Sequence, residues 1–458
     1  MFLDHYNRIH CIGVGGIGIS AIAKFLVVKG KMVSGSDSAS SRIVDGVAKL
    51  GVETWIGSNA EKITKDIELI VYSEAVPEDD AERVRAKELG IKQLGHFDFL
   101  GELSKEYRTI CVTGTNGKST TTAMTGKIFE KAGLDPTVFV GTLVPGWELG
   151  NLRVGKGDIL ILEGDEYKRK MLKLHPETTL MTNIEEDHLD VYQDLADIES
   201  AFQQLGHQTK KTVFQNWFEQ GRHIYCGDGT ARLCFFGMEL DAPLRFPYFR
   251  FGFKKAKRVI EHGAQRLGDL LIKLPGEFNM MNALAARQLA REYEIADAVS
   301  NASLAEFPGV WRRFERVGLY HGAEIISDYG HHPTAVAGTI FAAREFFPGR
   351  RVILCFQPHQ HSRTKALFAD FVKSFAGADL IVLPEIYHVE GRNEEEGKIS
   401  SHDLLKVFSE KVSSVIPTFY AKDLGEAQAI LEKEIKPDDV VLIMGAGNVD
   451  EIARRLVK

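Results

Sequence analysis

The sequence predicts an α/β protein of about three domains, and three observations carry that expectation. The chain has 458 residues, against ~150 for an ordinary domain. Apolar runs that read as buried strands alternate with helical stretches, the pattern of parallel sheets with helices on their faces. Two of the strands run into glycine-rich turns that open helices.

The first unit, residues 1–106, starts with "IHCIGVGG", a strand entering a glycine turn, and "IGISAIAKFLVVKG", a helix closing on Gly30. "KMVSGSD" and "IELIVYSEAV" are further strands, and a charged helix follows between Asp79 and Leu89. The second unit, 107–312, opens with "YRTICVTGTNGKSTTTAMTGKIFEKAGL": strand, glycine loop, then a helix ending at Gly133. "GDILILEGDEY" and "TTLMTNIEEDH" are apolar strands running into acidic residues. From Thr212 to Lys273 the pattern is short strands and aromatics, and "RFPYFRFGF" from Arg245 reads as a half-buried strand by its alternation. "PGEFNMMNALAARQLAREY" is a helix. The third unit, 313–458, carries the strands "AEIISDYGHHP", "RRVILCFQPH", "ADLIVLPEIY" and "DDVVLIMGAG".

Composition excludes several classes. A net charge of −7 argues against nucleic-acid binding through bulk positive charge. No stretch approaches the ~20 apolar residues of a membrane span, and the polar start from Met1 to His10 does not read as a secretory signal. The expected location is the cytoplasm. Five scattered cysteines, Cys11, Cys111, Cys226, Cys234 and Cys355, form no CxxC pair, so neither zinc nor a disulfide framework is expected. Three of them fall in strand-like runs and read as small buried hydrophobes.

The first glycine loop, Gly13-Val14-Gly15-Gly16-Ile17-Gly18, follows a strand and opens a helix, so its backbone could approach a diphosphate at the helix N-terminus. Asp37 lies where a carboxylate could accept from a ribose hydroxyl. A nicotinamide dinucleotide and a UDP-sugar share those features, and glycines serving only strand-to-helix packing would look the same.

The second loop, Thr113-Gly114-Thr115-Asn116-Gly117-Lys118-Ser119-Thr120, is sharper. Its N–H groups could cradle phosphates, its lysine meet the β/γ oxygens and its serine hydroxyl reach Mg²⁺. Only two residues separate Gly114 from Gly117, a shorter spacing than in most phosphate loops.

That "TGTNGKSTTT" resembles the Mur ligase family, and the resemblance runs along essentially the whole chain. Glu163-Gly164-Asp165-Glu166 is similar to the family's acidic Mg²⁺-binding segment, with Glu163 as ligand; "TNIEEDHLDVY" places His188 as a further ligand of that ion, while Ser119 would hold another Mg²⁺. "GEFNMMNALAA" places Asn279 and Asn282 near the nucleotide, while "WRRFE" and "SDYGHHPTAV" place Arg313 and Asp328 there. "DYGHHPT", "FQPHQHSRT", "MGAGN" and "VGGIGISAIA" are similar to the alanine-adding branch. There Tyr329, His331, His359 and Arg363 would form the amino-acid cleft, and His332 would join Lys118, Glu163 and His188 in catalysis. The UDP-sugar contacts would be Gly15, Gly16, Ile17, Gly18, Asp37 and Ser73.

Three positions depart from or sort the family. Asn116 stands where the alanine-adding branch usually has His, and Glu74 interrupts a usual Ser-Ser-Ala. Phe202 occupies the position of the carbamylated lysine of the branches that add D-glutamate or a diamino acid, and a phenyl ring cannot do that work.

The resemblance implies a Rossmann-like UDP-binding domain, a central P-loop ATPase and a C-terminal Rossmann-like domain. Its activity would be ligation of L-alanine to UDP-N-acetylmuramate, driven by ATP with Mg²⁺ through an acyl phosphate, for peptidoglycan precursor synthesis. A recycling ligase that attaches a whole tripeptide shares the first two domains' motifs, although Tyr329 and Gly330 disfavour it. A dinucleotide-dependent oxidoreductase and a non-catalytic ATP sensor are the rivals of other classes. Blander readings also exist. Glu163 could cap a helix, and His331 and His332 could be solvated turn residues before Pro333. His359 and His361 lack further ligands at zinc spacing, and "RNEEEGK" from Arg392 reads as a solvated loop.

Overall fold

The structure is a computed structural model that describes residues 2–188, 191–216, 231–236, 259–261, 264–388 and 399–458. The aromatic stretch from Arg245, the acidic stretch from Arg392 and Cys226 lie outside the described residues. The chain divides into two compact units, Met1–Lys255 with Asn282–Leu304, and Ala256–Met281 with Ala305–Lys458.

The first unit holds two sheets. Strands β1 (Arg8–Ile12), β2 (Met32–Asp37), β3 (Glu53–Ile56), β4 (Leu69–Tyr72) and β5 (Lys92–Gly95) pair in parallel in the order β3-β2-β1-β4-β5. Helices α1 (Ile17–Val28), α2 (Arg42–Ala48), α3 (Ala81–Glu88) and α4 (His96–Ser104) alternate with them. The central β1, "RIHCI", is buried at four of its five positions, as a strand covered on both faces must be. Strand order reverses at β1, where open α/β sheets place their ligands beyond the carboxyl ends of the strands.

The second sheet contains β6 (Arg108–Thr113), β7 (Thr137–Phe139), β8 (Leu152–Arg153), β9 (Ile159–Glu163), β10 (Thr178–Met181), β11 (Thr212–Asn216) and β12 (Arg232–Phe236). Their order is β12-β11-β10-β6-β9-β7-β8, with only the edge pair β7–β8 antiparallel. Helix α5 (Lys118–Lys131) follows β6, and α6 (Leu195–Gln208) follows β10. One apolar core runs through both sheets, from Val14, Phe25 and Phe99 to Phe139, Leu152 and Phe202. Phe25 meets Phe139 edge to face at 5.3 Å between ring centroids. Phe202 is fully buried in that core.

Three short antiparallel strands in the second unit, β13 (Val259–Glu261), β14 (Ala264–Leu267) and β15 (Leu270–Ile272), precede helices α7 (Glu277–Glu292) and α8 (Asp297–Glu306). A six-stranded sheet follows, made of β16 (Glu315–Tyr320), β17 (Ala323–Asp328), β18 (Val352–Phe356), β19 (Leu380–Pro384), β20 (Thr418–Ala421) and β21 (Val440–Met444). Its order is β16-β17-β21-β18-β19-β20, parallel apart from the edge strand β16. Helices α9 (Pro333–Phe346) and α10 (His361–Ala366) leave the carboxyl ends of β17 and β18.

Four cysteines, Cys11, Cys111, Cys234 and Cys355, lie buried in β1, β6, β12 and β18. Burial pushes the Cys11, Cys111 and Cys355 thiols up to about 12, so they act as small hydrophobes. No described helix is long and apolar enough to cross a membrane.

Candidate active site

The second glycine loop joins β6 to α5, and its turn needs glycine at both ends. Gly114 has φ +136° and a Cβ there would lie 2.1 Å from Thr182 Oγ1. Gly117 has φ +83°, and a Cβ there would lie 2.4 Å from Asn282 Oδ1. Asn282 of α7 therefore packs on the last glycine of the loop. Thr182 and Asn183, beyond β10, brace the loop from the other side: Thr182 Oγ1 donates to the Asn116 carbonyl at 2.6 Å, and Asn116 N donates to Asn183 Oδ1 at 2.8 Å. The Asn116 amide reaches Glu185 Oε2 at 3.4 Å, and Thr115 Oγ1 accepts from Glu185 N at 2.9 Å.

Lys118 begins α5 and donates to the carbonyls of Gly114 (2.7 Å) and Thr115 (3.0 Å) and to Glu166 Oε1 (3.0 Å). Burial works to lower its pKa, but the charges of Glu166, Asp165 and Glu163 outweigh burial and raise it, so the ammonium stays charged. Ser119 and Thr120 are buried in the first turn. Ser119 Oγ donates to Glu163 Oε1 at 2.9 Å, and Gly141 N donates to Glu163 Oε2 at 2.6 Å. The carboxylate at the end of β9 is thus fixed beside the loop hydroxyl. Further along α5, Trp147 lies over Gly126, gives its indole N–H to Glu130 at 3.2 Å and has Lys127 Nζ 5.6 Å from its ring.

His188 has φ +56° and turns Nε2 toward Glu166 Oε1 at 3.4 Å and Asp187 Oδ2 at 3.8 Å. Glu166 is nearly fully buried and holds both Lys118 and His188, and its carbonyl accepts the Tyr192 hydroxyl. The sequence marked the acidic segment but not Glu166 as its hub, because the lysine it pairs with is 48 residues away. Asp165 is held below the usual carboxylate range: burial opposes this, but Lys170, 2.9 Å away, outweighs burial. Among the described residues no cluster of three or more His, Cys, Asp or Glu side chains forms a ready-made metal cage. The donors beside the loop are the hard oxygens of Ser119 and Glu163, which suit an ion that keeps water and phosphate in its shell.

The first glycine loop differs. Gly15 N donates to Asp37 Oδ2 at 2.7 Å, and Ala39 N donates to Asp37 Oδ1 at 3.3 Å, so Asp37 is a backbone anchor of the loop. Gly16 caps α1 without a side-chain hydrogen bond, and Ile17 starts the helix. The His96 ring lies against Gly18, with Cε1 2.4 Å from where a Cβ would stand. Ser73 Oγ accepts from Ala75 N at 3.3 Å, and Glu74 Oε1 accepts from Phe97 N at 3.2 Å. Burial pushes the His96 pKa down to about 4, with Glu74 and Asp165 opposing and Lys170 assisting.

In the second unit, Asn279 gives its amide to the Pro275 carbonyl at 2.7 Å. Asp328 ends β17 and accepts from Phe314 N at 2.7 Å and Gly330 N at 2.6 Å. Burial pushes its pKa up, against Arg313 and these N–H groups. The guanidinium groups of Arg312 and Arg313 lie 5.0 and 4.7 Å from the Tyr329 ring centroid. His331 meets the Tyr329 ring edge on and stands 6.1 Å from His359, which stacks on Tyr387 at 5.4 Å. His332 caps α9, accepting from Thr334 N at 3.4 Å, with Pro333 following it. Arg363 lies on α10. Tyr329, His331 and His359 thus gather at the carboxyl ends of β17 and β18.

The chain matches three successive sequence profiles: "Mur ligase family, catalytic domain" over residues 8–108, "Mur ligase middle domain" over 112–290 and "Mur ligase, glutamate ligase domain" over 312–447. It is 37% identical to the UDP-N-acetylmuramate–L-alanine ligase of Oleidesulfovibrio alaskensis over 96% of each chain. It is 35% identical to the enzyme of that name from Clostridium tetani, covering 98% of this chain and 97% of the other. Among solved structures it is similar to the UDP-N-acetylmuramate-alanine ligase of Thermotoga maritima, with a TM-score of 0.79, 26% identity and 98% of each chain covered. The murein peptide ligase of Psychrobacter arcticus shares the fold with a TM-score of 0.68 at 21% identity, again over 98% of each chain. The profiles account for nearly the whole chain, the relatives match it end to end, and the chain belongs to the Mur ligase family.

Proposed function

We propose that the protein joins L-alanine to the carboxylate of UDP-N-acetylmuramate at the expense of ATP, in peptidoglycan precursor synthesis. The observation that carries this reading is the second loop, where Lys118 and the Ser119–Glu163 pair meet at one helix N-terminus. The full-length likeness to alanine-adding ligases supplies the substrates.

A carboxylate does not condense with an amine in water. Its oxygen instead attacks the γ-phosphorus and ADP leaves. The alanine nitrogen then attacks the acyl carbon, and the tetrahedral intermediate expels phosphate as the amine gives up its proton. Lys118 would bind γ-phosphate oxygens, exchanging the carbonyls it now holds for charge that moves in the transition state. Ser119 and Glu163 fit Mg²⁺, with His188 a further candidate ligand; bound there, the ion would offset repulsion between phosphate and carboxylate. Gly114, Thr115, Asn116, Gly117 and Thr120 would line the phosphate site, with Asn282 bracing Gly117. We assign Asn279, Arg313 and Asp328 to the nucleotide, and Tyr329, His331, His332, His359 and Arg363 to the amino acid. Gly15, Gly16, Ile17, Gly18, Asp37 and Ser73 are assigned to the UDP-sugar. Domain limits at 106/107 and 312/313 and a cytoplasmic location complete the proposal.

The test is phosphate release with Mg-ATP and UDP-N-acetylmuramate, comparing L-alanine, the tripeptide and no amine. Release that requires L-alanine, with a product heavier by one alanyl residue, is the expected result. Release with the tripeptide alone would reassign the enzyme as a recycling ligase. A nicotinamide absorbance change without ADP would overturn the ligase reading.

A further inference from the structure

Asn151 immediately precedes the edge strand β8 and is fully buried. Its Nδ2 donates to the carbonyl of Ile17, the first residue of α1 after the first glycine loop, at 2.5 Å, and to Ser20 Oγ at 3.0 Å. Its Oδ1 accepts from Lys24 at 2.7 Å, and Lys24 also donates to the Leu149 carbonyl at 2.9 Å. Its backbone carbonyl accepts from Val140 N at 3.2 Å. The next residue, Gly141, donates to Glu163, and Glu163 holds Ser119 of the second loop.

An unbroken run of hydrogen bonds and one peptide unit therefore leads from Ile17 to Ser119: Ile17 carbonyl, Asn151, Val140–Gly141, Glu163, Ser119. Its side chains are buried or half-buried, while the Gly141 link to Glu163 is exposed. Buried polar groups that lose a partner cost more than they contribute when satisfied, so such a run holds its members in one register. Lys24 strengthens the point. Its ammonium is buried against amide and carbonyl oxygens, and burial alone pulls its pKa down to about 8. A lysine kept there at such a cost marks a junction that must stay closed.

Building on the proposed function, we propose that Asn151 is a positioning residue that couples the UDP-sugar loop to the nucleotide and metal loop. Occupation of either loop then favours the arrangement in which the other binds. Because the coupling is mutual, each ligand tightens the other by the same factor.

The experiment measures UDP-N-acetylmuramate binding by calorimetry with and without β,γ-imido-ATP and Mg²⁺, in the wild type and two variants. Asn151→Asp keeps the acceptor for Lys24 and loses the donor to Ile17, so it preserves the junction while breaking the run. The wild type should bind the sugar nucleotide about tenfold more tightly with the analogue present, and Asn151→Asp should bring that ratio to within about twofold of one. Lys24→Met leaves both Asn151 donations in place and should retain the wild-type ratio. Should Asn151→Asp not fold, Asn151→Ser, too short to reach the Ile17 carbonyl, carries the same expectation. A folded Asn151→Asp or Asn151→Ser protein with the full ratio, or a wild-type ratio of one, overturns the inference. A wild type that binds no UDP-N-acetylmuramate overturns the functional reading instead.

Discussion

The two glycine loops of the first unit share one backbone plan and differ in charge. Each leaves the carboxyl end of a central parallel strand and opens a helix, α1 or α5. In the first, the side chain drawn to the loop N–H groups is a carboxylate, Asp37 on Gly15. In the second, the loop carbonyls draw an ammonium, Lys118, with Glu163 and Glu166 set behind. On the proposed reading, the backbone N–H groups at each glycine turn face an anionic ligand. On the proposed reading, that difference in charge suits the second loop to phosphoryl transfer and the first to holding a ligand.

That contrast can be broken in graded steps. Lys118→Met should lower kcat for phosphate release by roughly 10²–10³-fold while the UDP-sugar still binds; a variant retaining a tenth of the activity would remove the distinction between the loops. The staple beneath the first loop gives the next effect. The folded-state pKa of Lys24, about 8, lies below its ordinary 10.5, so the unfolded chain holds the extra proton between those values. The penalty is complete below pH 8 and is relieved as pH rises toward 10.5. Denaturant midpoints of the wild type should therefore gain on those of Lys24→Met across that window, and parallel curves would refute the buried charge. Gly117→Ala should cost about 1–3 kcal/mol of stability through its positive φ and the Asn282 contact, and should weaken ATP rather than the sugar. Calorimetric titration separates the two ligands. Asp37→Asn should act least, raising KM for the UDP-sugar by about threefold to tenfold with kcat unchanged; a loss in kcat would give Asp37 a share in chemistry.

The strands that position the loops were legible because each is an apolar run buried on both faces, and "TGTNGKSTTT" placed the second loop to the residue. Less could be read where local pattern is weak. β5, "KQLG", has no apolar run, so α4 and His96 behind it had no visible anchor. Glu166 and Asn151 escaped for another reason: their roles come from partners brought close only by the fold, Lys118 and His188 for one, Ile17 and Lys24 for the other. Asp37 was visible by spacing, yet spacing cannot tell a ribose contact from the Gly15 anchor that the fold provides. Charge-bearing residues with short-range motifs can be read from sequence; those whose function is a long-range pairing need the coordinates.

One further consequence is optical. Trp147, the indole lying over Gly126 of α5, is flanked by an ammonium at its ring and a carboxylate at its N–H. Trp55, in the first sheet, is stacked on the His10 imidazole at 4.8 Å and gives its N–H to Glu82 at 2.8 Å. Trp55 and Trp147 thus stand in different polar surroundings, one beside an imidazole and a carboxylate, the other beside an ammonium and a carboxylate. Because the chain has four tryptophans, emission should follow the filling of one loop only in a protein that keeps Trp55 or Trp147 and carries phenylalanine at the other three.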